Sequence, residues 1–329
     1  MVRGSNICAL IFGLYFLSSF KECYAEKHLL KVLTTRSFSN GVGKSVKQIF
    51  EKKYNCKVKY IILNGSSHII NTIKKEKNLG DMVVGMSYEN FHDPELREKL
   101  LPHNLINSIK TITPWTDKLL IPIEYTILSF IYNAKKVQNK FCSFDDLLST
   151  KEKIILIDPR TSSPGLGFLL WLNTVKGDHK KVYLRKLKKR ILTITSNWSE
   201  AYALFVNGEV NVVLGYLTSP AYHRLKEGHS HYKAAYFEKE GHYLQYIVAG
   251  VIKKSHQKKL ALSFLEVLLS VEAQKMIITK DWSYPVVSLD PQLYPEEFIK
   301  IPKNIYTCSL EETRNLKEKV LHDWIEALS

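Results

Sequence analysis

The run Asp158-Pro159-Arg160-Thr161-Ser162-Ser163-Pro164-Gly165-Leu166-Gly167 joins a short apolar strand-like segment, residues 154–157, to a helical one, residues 165–174. A hydroxyl cap, a proline suited to the first helical turn and two glycines that allow close approach form a helix start. Its free N–H groups suit an anion, with Ser162 and Ser163 as side-chain donors. An ordinary capped helix would carry the same residues. No Lys-Ser/Thr follows, so this is not a nucleotide-binding phosphate loop. A second group is aromatic. Trp198 opens Trp198-Ser199-Glu200-Ala201-Tyr202, Tyr216 ends the next strand-like run, Tyr222 lies in Leu217-Thr218-Ser219-Pro220-Ala221-Tyr222-His223, and Trp282 and Tyr284 lie in Asp281-Trp282-Ser283-Tyr284-Pro285. Aromatics at element ends sit where the carboxyl edge of a sheet places ligand contacts. Any single one would also fit a core.

Other chemistries find less material. Beyond residues 1–25 the cysteines are Cys56, Cys142 and Cys308, enough for one disulfide at most, and no pair has metal-ligand spacing. Of the eleven histidines only His229 and His231 are closely spaced, in a polar turn, so no metal is expected.

The elements that must position these residues follow from periodicity. Strand-like runs at 29–34, 57–63 and 82–86 alternate with helical ones at 44–54 and 67–75, the signature of a parallel α/β sheet. A long apolar stretch, 119–132, leads to a second set: strands at 154–157 and 210–216, helices at 165–174 and 199–207. After the extended run 243–251 come helices at 259–269 and 271–279, a proline-containing loop and an amphipathic helix, 310–328. With 329 residues, 45% of them hydrophobic, the chain has material for two lobes. The simplest topology places residues 26–126 in lobe 1 and 127–245 in lobe 2. Residues 246–329 return to lobe 1, whose sheet lacks the helices that end the chain. Crossings near 124–127 and 243–248 would serve as a hinge.

Residues 1–25 read as a signal peptide: Arg3, an apolar run from Ile7 to Phe20, and the small-residue end Cys23-Tyr24-Ala25. The run is shorter than the ~20 residues of a membrane span. Cleavage after Ala25 and export to a periplasm are expected. The formal charge of +15 falls by one when Arg3, Lys21 and Glu22 are removed. Nucleic acid, anionic lipid, an anionic ligand or a solvated lysine-rich surface would each fit that balance. The lysines are scattered rather than interleaved with stacking aromatics, which favours the solvated surface and no nucleic acid.

The segments 158–171, Trp198-Ser199-Glu200-Ala201-Tyr202, 216–223, Glu240-Gly241-His242-Tyr243-Leu244-Gln245 and 282–286 resemble the thiamine-binding periplasmic proteins of bacterial ABC importers, and the likeness spans nearly the whole chain after residue 25. It implies an α/β, two-lobe type II periplasmic binding fold with a hinged ligand cleft. It also implies delivery of thiamine, thiamine monophosphate or thiamine diphosphate to a membrane permease, with no catalysis and no cofactor. By the same resemblance Ser162, Ser163 and their neighbours take the hydroxyl or phosphate end of the ligand, while Trp198, Tyr216, Tyr222 and Trp282 line the ring site. The chemistry agrees, since an aromatic face holds an organic cation such as the thiazolium at ~0.5–2 kcal/mol per contact.

Lobe 1 departs from the family pattern. Thr35 stands where a tyrosine follows the first strand, and Asn64-Gly65-Ser66 stands where an acidic residue meets the aminopyrimidine. Asn64 can still bond an amidine edge, at ~1 kcal/mol against ~1.5–3 for a charged partner. Glu124 and Tyr88 are the candidate substitutes. The competing class, a secreted thiamine-degrading enzyme of similar fold, needs a cysteine nucleophile and an acidic base in the cleft. Neither Cys142, before a surface helix, nor Cys56, at a strand start, is placed for attack. An iron-binding relative would need a tyrosine pair, for which Tyr216 and Tyr222 are the candidates.

Overall fold

A computed structural model describes residues 28–75 and 79–328; the expected signal segment lies outside the described residues. Among the described residues twelve strands run in chain order: β1 (Leu29–Thr34), β2 (Lys57–Ile62), β3 (Met82–Ser87), β4 (Leu100–Leu101), β5 (Ile121–Asn133), β6 (Ile154–Ile157), β7 (Ile191–Thr195), β8 (Val212–Tyr216), β9 (Tyr232–Ala234), β10 (His242–Ile252), β11 (Tyr284–Pro285) and β12 (Ile305–Tyr306). The sheet order is β2-β1-β3-β10-β5-β8-β6-β7.

β5 joins the two halves. Up to Ile127 it pairs antiparallel with β10, and from Leu128 its partner is β8. Twelve of its thirteen residues are buried, which explains why its sequence is a continuous apolar run: a central strand covered on both faces has no polar side to show. On the lobe 1 side β1, β2 and β3 are parallel and β10 returns against β3. On the lobe 2 side β6 lies parallel between β8 and β7. Each side has its own core. Val32, Phe50, Met86, Ile123, Phe264 and Ile277 belong to the first, and Phe130, Ile155, Phe168, Trp171 and Val213 to the second.

Helices Val42–Tyr54, Lys258–Leu268 and Val271–Lys280 pack together on lobe 1, with Phe50 edge-on to Phe264 at 5.0 Å. The last helix, Leu310–Leu328, does not join them as the sequence suggested. It packs on helices Ser163–Lys176 and Lys180–Leu187, with Val320, Trp324 and Ala327 in the lobe 2 core. Trp324 meets Phe168, and the buried Lys180 pairs with Asp323 at 3.0 Å. An amphipathic helix can cover any apolar face within reach, and β12, paired with the start of β10, delivers this one to lobe 2. Among the described residues no helix is long and apolar enough to cross a membrane.

Candidate functional site

The carboxyl ends of the parallel strands of the two lobes face one another: the segments after β2 and β3 meet the turn after β6. After β6 the chain turns through 158–162 into helix Ser163–Lys176. Ser162 is the N-cap, with extended backbone, buried, and its hydroxyl makes no capping bond. The expected hydroxyl cap is therefore not formed. The first helical bond runs from Leu166 N–H to the Ser162 carbonyl (3.1 Å), so the Ser163 and Gly165 N–H groups precede it and Pro164 has none to offer. A Cβ on Gly165 would lie 2.5 Å from the Ile157 carbonyl, and one on Gly167 2.6 Å from the Gln245 side chain. These glycines seat the helix against β6 and the crossing strand β10.

After β7, Asn197 caps helix Trp198–Val206. Its Oδ1 accepts from Glu200 N–H at 3.0 Å, and Glu200 Oε2 accepts in return from Ser196 N–H at 3.2 Å. These two bonds fix Trp198 at the helix start. Trp198 stacks on Tyr202 at 4.6 Å and meets Tyr216, the last residue of β8, at 5.9 Å; its Nε1 is buried without an acceptor. Tyr222, on helix Ser219–Glu227, stands edge-on to Trp282 at 5.8 Å. Trp282 has a φ of +55°, a conformation bulky residues adopt only under constraint, and its carbonyl accepts from Thr218 Oγ1 at 2.5 Å. Tyr202 and His223 link the two aromatic pairs into one array.

Lobe 1 meets this surface directly. The Thr161 carbonyl accepts from Ser66 N–H (3.0 Å) and Oγ (3.2 Å). Asn64 Oδ1 accepts from Asn197 Nδ2 at 3.3 Å. Gly65, with φ +91°, lies so near that a Cβ would come 2.4 Å from the Thr161 carbonyl. Ser163 Oγ accepts from Asn90 Nδ2 at 2.8 Å, and the Ser163 carbonyl from Gln245 Nε2 at 3.1 Å. The loop that carries Asn64-Gly65-Ser66 thus clasps lobe to lobe.

Of the two candidate substitutes, Tyr88 is engaged within lobe 1: its hydroxyl donates to Asp117 at 2.9 Å and its ring packs on Trp115. Thr35 caps a short helix and bonds Gly85. Glu124 belongs to the site. It lies on β5 at the crossing, 7% exposed, with its Oε2 buried without a partner and Asp281 and Ser283 as neighbours. Burial, then the neighbouring Asp281, pushes its carboxyl far above the usual range. Burial likewise pushes Asp281 up, to about 7, against the Val42 N–H that bonds its Oδ1 at 2.6 Å. Tyr216 is held protonated, by burial first and by Glu124 second. Sequence reasoning missed Asp281, Asn90, Asn197 and Gln245. Only Asn197, three residues before Glu200 in a capping pattern, carried a local signal.

The remaining groups lie elsewhere. Cys142 is exposed at the start of a lobe 2 helix, while Cys56 and Cys308 are buried; burial pushes the Cys308 thiol up to about 11, the wrong direction for a nucleophile. His322, Asp323 and Glu326 could group around a cation, but Asp323 and Glu326 are already paired with Lys180 and Lys181 on the outer face of lobe 2. A cavity of about 570 Å³ opens at the opposite edge of lobe 1, where Asp81 is taken up by Lys31 N–H and Ser255 Oγ.

Two lobes joined by crossing strands, with polar and aromatic groups gathered between their carboxyl edges, define a solute-binding protein of the type II periplasmic fold. Residues 35–275 match the family model for bacterial extracellular solute-binding proteins, and the chain belongs to that family, whose members bind rather than transform their solutes. It is 35% identical over 313 residues to the thiamine-binding periplasmic protein of Escherichia coli K12, covering 92% of this chain and 94% of that one. It is 32% identical to the protein of the same description from Brucella abortus, covering 97% and 98%. A solved periplasmic thiamin binding protein superposes with a TM-score of 0.85 at 34% identity, over 92% of this chain and 96% of that one. Iron-bound HitA from Pseudomonas aeruginosa shares the fold at 20% identity, with a TM-score of 0.73 over 91% and 99%.

Proposed function

We propose that this chain is an exported binding protein that captures thiamine and its phosphate esters in the periplasm and presents them to the membrane permease of an ABC importer. The leader at residues 1–25 serves export and is removed. The observation that carries the reading is the aromatic array along the cleft, Trp198 with Tyr216 on lobe 2 and Tyr222 with Trp282 where the lobes meet, beside the helix start at Ser163. Flat electron-rich faces suit a thiazolium cation and an aminopyrimidine ring, and helix N–H groups beside Ser162 and Ser163 suit a hydroxyl or phosphate. Asn64, at the rim, offers an amide to the pyrimidine edge. The likeness to thiamine-binding relatives supports the same ligand.

Calorimetric titration with thiamine, its monophosphate, its diphosphate, and the separate pyrimidine and thiazole fragments tests this. Thiamine is expected to bind with micromolar affinity or better and the fragments more weakly. Failure of all of them below the millimolar range would overturn the ligand while leaving the fold intact.

A further inference from the structure

Among the polar side-chain atoms of the described residues that are buried without a partner are Glu124 Oε2 and Thr126 Oγ1, on β5, and Asp281 Oδ2, from the residue before Trp282. Glu124 and Thr126 are two apart on one strand, so they share a face. Gln245, directly opposite Thr126 on β10, shares it too, and Gln245 reaches the Ser163 carbonyl in the cleft. That face is the floor between the lobes. Its neighbours Tyr125 and Tyr246 point the other way, into the packing around Trp115 and Tyr284.

β11 pairs Pro285 with Glu124, which brings the segment carrying Asp281 against Glu124, and the two buried carboxyls lie close enough to influence one another; two ionised carboxylates there would repel. One proton between them satisfies both orphaned oxygens. The remaining charge sits more easily on Asp281, because its Oδ1 accepts from Val42 N–H at the start of the thirteen-residue helix Val42–Tyr54. One negative charge then remains, next in sequence to Trp282 and close enough to Tyr216 for Glu124 to affect its hydroxyl. No lysine or arginine is paired with either carboxyl among the ion pairs of the described residues. An uncompensated buried charge at a ring site is costly unless a cation completes it.

We propose that Glu124 and Asp281 share one proton and form the monoanionic seat of the cleft, the counter-charge for a heteroaromatic cation held between Tyr216 and Trp282. This rests on the thiamine reading and adds to it the source of specificity for a charged ring.

The test compares thiamine with deazathiamine, the neutral isostere in which carbon replaces the ring nitrogen, by calorimetry on the full exported chain. The unaltered protein is expected to prefer thiamine by about tenfold or more, and Glu124→Gln and Asp281→Asn to lose that preference while keeping deazathiamine affinity within about twofold. An unaltered protein that binds both equally well would overturn the proposal without any variant, as would variants that lose both ligands equally, which would mark the pair as a structural tie. Binding of neither ligand by the unaltered protein would overturn the functional reading itself.

Discussion

At the scale of single residues, the aromatic wall separates groups that hold the fold from groups free to meet a ligand. Tyr202 is buried at the centre of the array, stacked between Trp198 and His223, and its hydroxyl meets His223 Nε2 at 2.9 Å. Trp198 and Tyr222 are half-buried at its ends. Trp198→Ala and Tyr222→Ala are therefore each expected to weaken thiamine binding by about tenfold or more with little loss of melting temperature, each removing a ring contact of ~0.5–2 kcal/mol together with its apolar cover. Unaltered affinity in both would return these side chains to a packing role. The opposite end of the cleft gives a second prediction. Ser162 spends no hydroxyl bond on capping, so Ser162→Ala should leave stability nearly unchanged and lower affinity for thiamine monophosphate more than for thiamine. Added salt should likewise slow association of the ester more than of thiamine, because attraction of anions to a basic chain is screened within about 10 Å at 0.1 M. Equal losses for both ligands would make this helix start purely structural.

At the scale of elements, the two crossing strands are tied by a histidine. His242, the first residue of β10, is fully buried; its Nε2 accepts from Phe237 N–H at 2.8 Å and its Nδ1 lies 2.8 Å from the Leu128 carbonyl on β5, at the point where that strand changes partner. Both bonds need the neutral ring with its proton on Nδ1, and burial pushes its pKa down to about 4. The unfolded chain takes up a proton near pH 6.5 and the folded chain does not. The stabilisation is thus complete above pH 6.5 and is lost as pH falls toward 4, by roughly 3 kcal/mol in all. Denaturant unfolding of the unaltered protein between pH 7 and 4 should show this loss, and His242→Gln should show a shallower dependence over the same range. Parallel curves would assign the acid sensitivity to other groups.

At the scale of the whole molecule, the lobes touch through Asn64–Asn197, Ser66–Thr161, Ser163–Asn90 and Thr218–Trp282. Arg314, on the last helix, adds a bond to the His92 carbonyl on lobe 1. These contacts describe a closed form, and a ligand that bridges the lobes favours it over an open one by the difference in its affinity for the two. Small-angle scattering should show a smaller radius of gyration with saturating thiamine than without it. Asn64→Ala with Asn197→Ala should enlarge the ligand-free radius and weaken binding several-fold. Identical radii with and without ligand would contradict a cleft that closes.

The sequence by itself determined those features whose physics is local. The continuous apolar run of β5, the alternation of strands and helices, and the Asn197-to-Glu200 cap are set by periodicity and by hydrogen bonds within a few residues. The placing of Ser162, Trp198, Tyr216 and Trp282 at element ends was legible for the same reason. Edge strand β7 was not: it is five residues long, follows a lysine-rich helical stretch and leaves Leu192 half exposed, so its pattern is weak. The tertiary structure decided what depends on distant segments meeting. It sent the last helix to lobe 2, turned Asn64 into a clasp against Asn197, and brought Asp281 to Glu124 across nearly half of the chain. An apolar helical face fits more than one partner, and a carboxyl group acquires its proton and its role only from the groups that come to surround it.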